Sequence, residues 1–234
     1  MRVLVTGATG GLGYQLAKEA MIRGHQIVAV DIPQADTSAL EALSAQYPGL
    51  MTILPMDITN RDQISETVKL ITEKWGALDG VINVAGILIG REQTFEELDF
   101  DLVRKSLEVN LFGAMNVLQI SLPLIYKGEK PVIINVSSEG ATIVNAFPTN
   151  YAYAISKTSL NMFTERLKAH FVKEGRDILI WAIHPGWMRT SMGGENAPVD
   201  PADTAKGFWD IMERKTVITS KITFINAFGK PMPL

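Results

Sequence analysis

The chain has 234 residues, with 22 basic against 25 acidic side chains and a formal charge of −3, so nothing in its charge invites nucleic acid or an anionic membrane. It contains no cysteine, which excludes disulfides, thiolate zinc sites, iron–sulfur clusters and thiol nucleophiles. The three histidines, His25, His170 and His184, lack zinc-hydrolase spacing, so no metal site is expected. Chemistry then falls to hydroxyls, amines, carboxylates or a bound organic cofactor. The length suits one domain spanning 1–234. An opening apolar run of only four residues is too short for a signal peptide, and a soluble cytoplasmic location is the expectation.

Strands are predicted near 3–5, 26–31, 51–56, 80–84, 132–136, 178–183 and 221–225, with helices near 12–23, 37–46, 60–75, 99–126, 150–174 and 202–214. Strands apolar at nearly every position, such as 132–135, suit a parallel sheet covered on both faces. The alternation predicts an α/β fold, a single doubly wound domain with a parallel seven-stranded sheet flanked by helices. The stretch 109–126 lacks charge, but Asn110, Gly113, Asn116, Gln119, Ser121 and Pro123 interrupt it, as in a helix buried among protein neighbours.

The first strand runs into Thr6-Gly7-Ala8-Thr9-Gly10-Gly11-Leu12-Gly13 and then a helix. Glycines there let the backbone turn tightly and approach a pyrophosphate held on helix N–H groups. The second strand ends in Asp31, 18 residues past Gly13, where a carboxylate accepts from an adenosine ribose diol and repels a 2′-phosphate. Ile32 and Pro33 offer no base to offset that charge, so NAD(H) is expected over NADP(H). Farther along, Asn83-Val84-Ala85-Gly86 ends a strand, Asn110 lies in the following helix, and Ser137-Ser138 end the next strand. Tyr153-Ala154-Ile155-Ser156-Lys157 then sets a phenol and an ammonium one helical turn apart. A fixed ammonium favours the phenolate and brings tyrosine toward acid–base range. Pro185-Gly186-Trp187-Met188-Arg189-Thr190 follows the sixth strand.

In this order and spacing, the motifs resemble the short-chain dehydrogenase/reductase family over essentially the whole chain. The segments 184–194 and 228–234 also resemble its C-factor and sniffer-type carbonyl reductases. The resemblance implies carbonyl–alcohol interconversion with Tyr153 as general acid–base, Lys157 lowering its pKa, Ser138 holding the substrate oxygen and Asn110 positioning a water. It further implies a cofactor site of Gly7, Thr9, Gly11, Leu12, Gly13, Asp31, Asp57, Ile58, Asn83, Ala85, Gly86, Pro185, Gly186 and Thr190, together with Tyr153 and Lys157. A homodimer or homotetramer is the family habit.

Three features depart from the pattern. Val84 stands where a second asparagine is usual, which puts sheet hydrogen bonding in question. Ser137 competes with Ser138, although alignment on Asn135 favours Ser138. Gly7, Gly10 and Gly13 also fit the glycine spacing of extended members such as sugar epimerases, although the chain after Thr190 is short for their substrate domain. The substrate pocket is expected from 87–89, 141–147 and 187–194. Their apolar character suggests a hydrophobic aldehyde, ketone or alcohol, with Arg91 and Arg189 solvated at the surface. The competing class is a non-catalytic dinucleotide-binding redox sensor, which has no need of the Asn110, Ser138, Tyr153 and Lys157 set.

Overall fold

A strand buried on both faces can be apolar at every position, and the short β-branched runs of this chain pair in that way. The computed structural model describes residues 1–144 and 146–234. Asn145, within the expected pocket segment 141–147, lies outside the described residues. In chain order the elements are β1 (Arg2–Thr6), α1 (Gly11–Ile22), β2 (Gln26–Asp31), α2 (Ser38–Gln46), β3 (Met51–Pro55), α3 (Arg61–Trp75) and β4 (Gly80–Asn83). There follow α4 (Phe100–Leu107), α5 (Ala114–Ile125), β5 (Val132–Val136), α6 (Tyr151–Lys173), β6 (Leu179–His184), α7 (Pro201–Met212) and β7 (Phe224–Asn226).

Among the described residues the seven strands form one sheet in the order β3-β2-β1-β4-β5-β6-β7, every pair parallel. Alternate residues serve two cores. Val3, Val5, Ile27, Ala29, Ile134 and Ile183 pack with α1 and α7 on one face. Leu4, Val28, Val30, Val81 and Ile133 pack on the other with Ile64 and Ile71 of α3, Val117 and Leu118 of α5, and Phe171 of α6. This is the single doubly wound domain that the sequence predicts. Chain order reverses direction between β1 and β4, and a crevice opens at such a point.

Buried amides tie the centre of the sheet together. Asn83 Nδ2 donates to Asn135 Oδ1 at 2.9 Å, and Asn135 Nδ2 donates to Thr164 Oγ1 of α6 at 3.0 Å. The N–H groups of Val84 and Ala85 both reach Thr6 Oγ1, at 3.1 and 3.2 Å. Val84 contributes its backbone N–H to that tie and no side-chain amide, and Asn83 Oδ1 is buried without a partner.

Two expected elements differ in detail. The single helix expected over 99–126 is interrupted by a π-helical segment, Glu108–Gly113, between α4 and α5. Gly113 in that segment is pressed against Ile58: a Cβ there would lie 2.5 Å from its Cδ1. The stretch Phe100–Ile125 is long and apolar enough to cross a membrane, yet its Val117, Leu118, Leu124 and Ile125 belong to the core against the sheet. The last strand starts at Phe224 rather than near 221, because Ile222 N–H donates to Ser220 Oγ and Thr223 N–H to the Glu165 carboxylate.

At the edge of the sheet where the strands begin, Arg2 and Asp79 form a forked ion pair, with Nη2–Oδ1 2.7 Å and Nε–Oδ2 3.0 Å. Asp79 also accepts the N–H groups of Arg2 and Glu129, joining the starts of β1, β4 and β5. Burial alone would raise the Asp79 pKa, but the Arg2 fork and the two N–H groups overcome it and hold the carboxyl below its usual range. The pair therefore adds stability above the unfolded carboxylate value, which is lost as pH falls through the lowered folded value. Asp79→Asn should lower unfolding free energy at neutral pH by about 2 kcal/mol, less than a fully buried pair because Arg2 is partly exposed. Urea titrations should show that deficit shrinking toward low pH.

Candidate active site

Parallel register brings the functional segments to one edge. Thr6 pairs with Val30 and Asn83, Asn83 with Asn135, and Val136 with Ile183. Gly7, Asp31, Val84, Ser137 and His184 therefore emerge together at the ends of neighbouring strands. Two cavities open there, one of about 540 Å³ over β1, β2 and β4 and one of about 720 Å³ over β5 and β6.

The floor of the first cavity is the turn from β1 into α1. Gly7 has φ +65°, and a Cβ on it would lie 2.8 Å from the Ala85 backbone, while one on Gly13 would lie 1.9 Å from Gly7 O. Gly11 also has positive φ and rests on Thr190, whereas a Cβ on Gly10 meets nothing. The constrained set is thus Gly7, Gly11 and Gly13, not the Gly7-Gly10-Gly13 alternative. Gly10 caps α1 without a side-chain hydrogen bond, and the first turn carries no acid, so the positive end of this helix faces the cavity unneutralised. Asp31 lies farther along the same wall. Its Oδ2 accepts from Thr9 N–H at 3.0 Å and Thr9 Oγ1 at 2.7 Å, and its Oδ1 accepts from Ile32 N–H at 2.9 Å. Asp57 and Ile58 line the cavity, the carboxylate held by an Asx turn to Thr59 at 2.8 Å.

These residues suit a dinucleotide: a bare helix end for pyrophosphate, an oriented carboxylate for a ribose diol and an apolar slot at Ile58 for a base. Leu12, Ala85, Gly86, Pro185, Thr190, Tyr153 and Lys157 line the same cavity. Three expected contributors do not present side chains to it. Thr9 holds Asp31, Asn83 holds Asn135, and Gly13 is packed under Gly7. Gly186 lies on the wall of the other cavity.

Tyr153 lines both cavities, one turn into α6. Burial pushes its pKa up, while a hydrogen bond with the Ser138 side chain and the charge of Arg91 pull it down. Lys157 Nζ lies over the phenol ring, 5.7 Å from its centroid, and donates to Val136 O at 2.8 Å. Burial lowers the pKa of Lys157 to about 8.

Packing gives the two serines different partners, although Ser137 too lines both cavities. Ser137 Oγ is buried and donates to Asn161 Oδ1 of α6 at 2.6 Å, whereas Ser138 meets Tyr153 and accepts from Gly140 N–H at 3.1 Å. Asn110 is buried in the π-helical segment and lines neither cavity. Its side chain accepts from Ile87 N–H at 2.8 Å and donates to Ile87 O and Ser156 Oγ, both at 2.9 Å. Ser156 Oγ in turn donates to Tyr153 O at 2.7 Å. Asn110 thus links the loop after β4 to the helix that carries the phenol.

Sequence reasoning did not single out Thr6, Ser156, Asn161 or His184. Of these, only Ser156 gave a signal, as the residue preceding Lys157. His184 Nδ1 accepts from Glu139 N–H at 3.0 Å, and burial lowers its pKa against the opposing pull of Glu139. The expected pocket segments do meet, since Leu88, Ile143, Ala146, Phe147, Trp187, Met188 and Met192 line the second cavity.

Residues 1–200 match the family model for short chain dehydrogenases. The chain is 32% identical over 206 residues to the 3-oxoacyl-(acyl-carrier-protein) reductase FabG of Thermotoga maritima, covering 86% of this chain and 79% of that protein. Its structure superimposes on the carbonyl reductase Sniffer of D. melanogaster with a TM-score of 0.90 at 25% identity, over 100% of this chain and 99% of the other. An NADPH-bound carbonyl reductase from chicken fatty liver shares the fold at 24% identity, with a TM-score of 0.86 over 100% and 98% of the two chains. With the phosphate-binding turn, the strand-end carboxylate and the Ser–Tyr–Lys group at one sheet edge, the chain belongs to the short-chain dehydrogenase/reductase family of oxidoreductases.

Proposed function

We propose that this protein is a metal-independent, NAD(H)-dependent oxidoreductase that interconverts a carbonyl and an alcohol on a small molecule with a largely apolar body. The observation that carries this reading is the position of Tyr153, on the wall between a dinucleotide-sized cavity and a second cavity that also holds Ser138. A bound nicotinamide dinucleotide supplies the hydride. The Ser138 hydroxyl donates to the carbonyl oxygen and fixes it beside the phenol. Tyr153 gives that oxygen its proton during reduction and takes it back during oxidation. With its pKa raised, the phenol keeps its proton at neutral pH, the form that reduction needs. Lys157 places a positive charge beside the site where phenolate develops, and Asn110 with Ser156 holds α6 and the post-β4 loop in fixed relation.

The preference for NAD(H) rests on Asp31. Its carboxylate is oriented by Thr9 and Ile32, and Lys105 and Lys157 are the only basic side chains lining that cavity among the described residues. The chicken neighbour holds NADPH; here a 2′-phosphate would face an anchored negative charge. For assembly we propose a homodimer or homotetramer, supported by the exposed Phe100 and Phe112 of the α4–α5 stretch and Met162 of α6.

Tyr153→Phe should retain NADH binding and lose turnover on a carbonyl panel by about 10³-fold, as expected for removal of a proton donor. NADH binding with no turnover by the wild type on any carbonyl would favour a redox sensor instead. Calorimetry should give NADH at least about tenfold tighter binding than NADPH, the scale of one charge-assisted hydrogen bond. Asp31→Ala should erase that margin, and equal or tighter NADPH binding by the wild type would overturn it. In pH–rate profiles, alcohol oxidation should rise above neutrality as the phenol ionises, while carbonyl reduction falls.

A further inference from the structure

The second cavity, of about 720 Å³, has an apolar rim on which Phe147 and Trp187 stay 61% and 54% exposed. Among the described residues Arg91 is the only arginine or lysine that lines it; His184 lines it too, with its pKa lowered by burial. The two arginines in or beside the expected pocket segments, Arg91 and Arg189, have different partners. Arg189 is engaged by Asp200 at 3.3 Å and by the carbonyls of Ala197 and Pro198. Arg91 has no carboxylate partner among the described residues, and its one side-chain hydrogen bond runs from Nη2 to Met192 O at 3.0 Å.

The position of Arg91 is built into the fold. It follows Gly90 in a turn closed by Gln93 N–H on Gly90 O, and its carbonyl accepts from Asn150 N–H at the start of α6. That contact ties it to the helix bearing Tyr153, and its charge reaches the phenol. Two carboxylates, Glu92 and Glu139, share the cavity, but neither pairs with Arg91, and Glu139 bears on His184.

We infer that Arg91 is a specificity-determining residue that receives an anionic group of the substrate, so that the protein takes amphiphilic carbonyl or alcohol compounds carrying one carboxylate or comparable anion. This rests on the proposed reaction, since it places the reacting oxygen at Ser138 and Tyr153. The rim residues Phe147 and Trp187 then cover the apolar body, while the guanidinium offers a forked pair of donors to the anion. Arg91 is exposed, as the sequence leads one to expect, and the proposed contact gives that exposed charge a role.

The test uses benzoylpropionate, an aryl ketone with one carboxylate, and its methyl ester. Calorimetry on the NAD⁺-saturated enzyme measures binding without turnover, and NADH-driven reduction gives kcat/KM. Wild type should prefer the acid by about tenfold in both measurements, the scale of a partly exposed charge-assisted contact. Arg91→Gln should bring both ratios to about one, while Arg91→Lys should keep part of the preference. A disturbed loop would affect acid and ester alike and leave the ratios in place. Lack of preference in wild type, a ratio that survives Arg91→Gln, or binding of neither probe would overturn the inference. If the binding preference is present and lost in Arg91→Gln, yet neither ketone is reduced, Arg91 keeps its role and the oxidoreductase reading fails.

Discussion

Parallel pairing forces every strand to end at the same edge of the sheet, and all that this protein does depends on that constraint. Residues far apart in sequence arrive side by side because the register allows no alternative. A shift of one residue in β4 or β5 would turn every side chain to the other face, exchanging the two cores. The buried pair Asn83–Asn135 guards against such a slip. Only in the observed register do the two amides face each other across the strands and reach Thr164. Each such bond contributes about 1 kcal/mol when made, and an unmatched buried amide costs about 1–3 kcal/mol, so the pair discriminates more than it stabilises.

A further buried amide, Asn110, carries that order to Tyr153. The π-helical turn that holds it widens the helix locally, and such turns recur at functional sites. From there Asn110 fixes both backbone groups of Ile87 and, through Ser156, the first turn of α6. Tyr153 is thereby positioned by hydrogen bonds from another element rather than by its own helix alone. Lys157 illustrates the opposing cost. Burial lowers the pKa of its ammonium, although the Val136 carbonyl accepts from it.

Much of the site was legible in the primary structure because it is local. The glycine turn, the strand-end Asp31 and the Tyr153–Lys157 pair each lie within a single strand–turn–helix or helical turn, so spacing alone conveys their geometry. The distinction between Gly10 and Gly11 was not local, since it depends on the approach of Thr190 to Gly11 from another part of the chain. The choice of Ser138 over Ser137 needed Asn161, 24 residues away on α6. The backbone N–H groups of Val84 and Ala85 find Thr6 Oγ1 on the neighbouring strand, a partner that spacing does not reveal.

The sequence by itself determined the class of fold, the absence of thiol and thiolate-metal chemistry, and the residue types at each strand end, because hydrophobic period and turn chemistry are short-range properties. Tertiary structure alone decided which of those residues meet. It turned Thr9 and Asn83 away from the cavity over β1, β2 and β4, set the ammonium of Lys157 on a β5 carbonyl, and placed Arg91 on the wall of the cavity over β5 and β6 while engaging Arg189 elsewhere. The physical reason is common to all of them. Burial and hydrogen-bond satisfaction are settled among groups distant in sequence, so a side chain's role follows from the partners the fold brings to it.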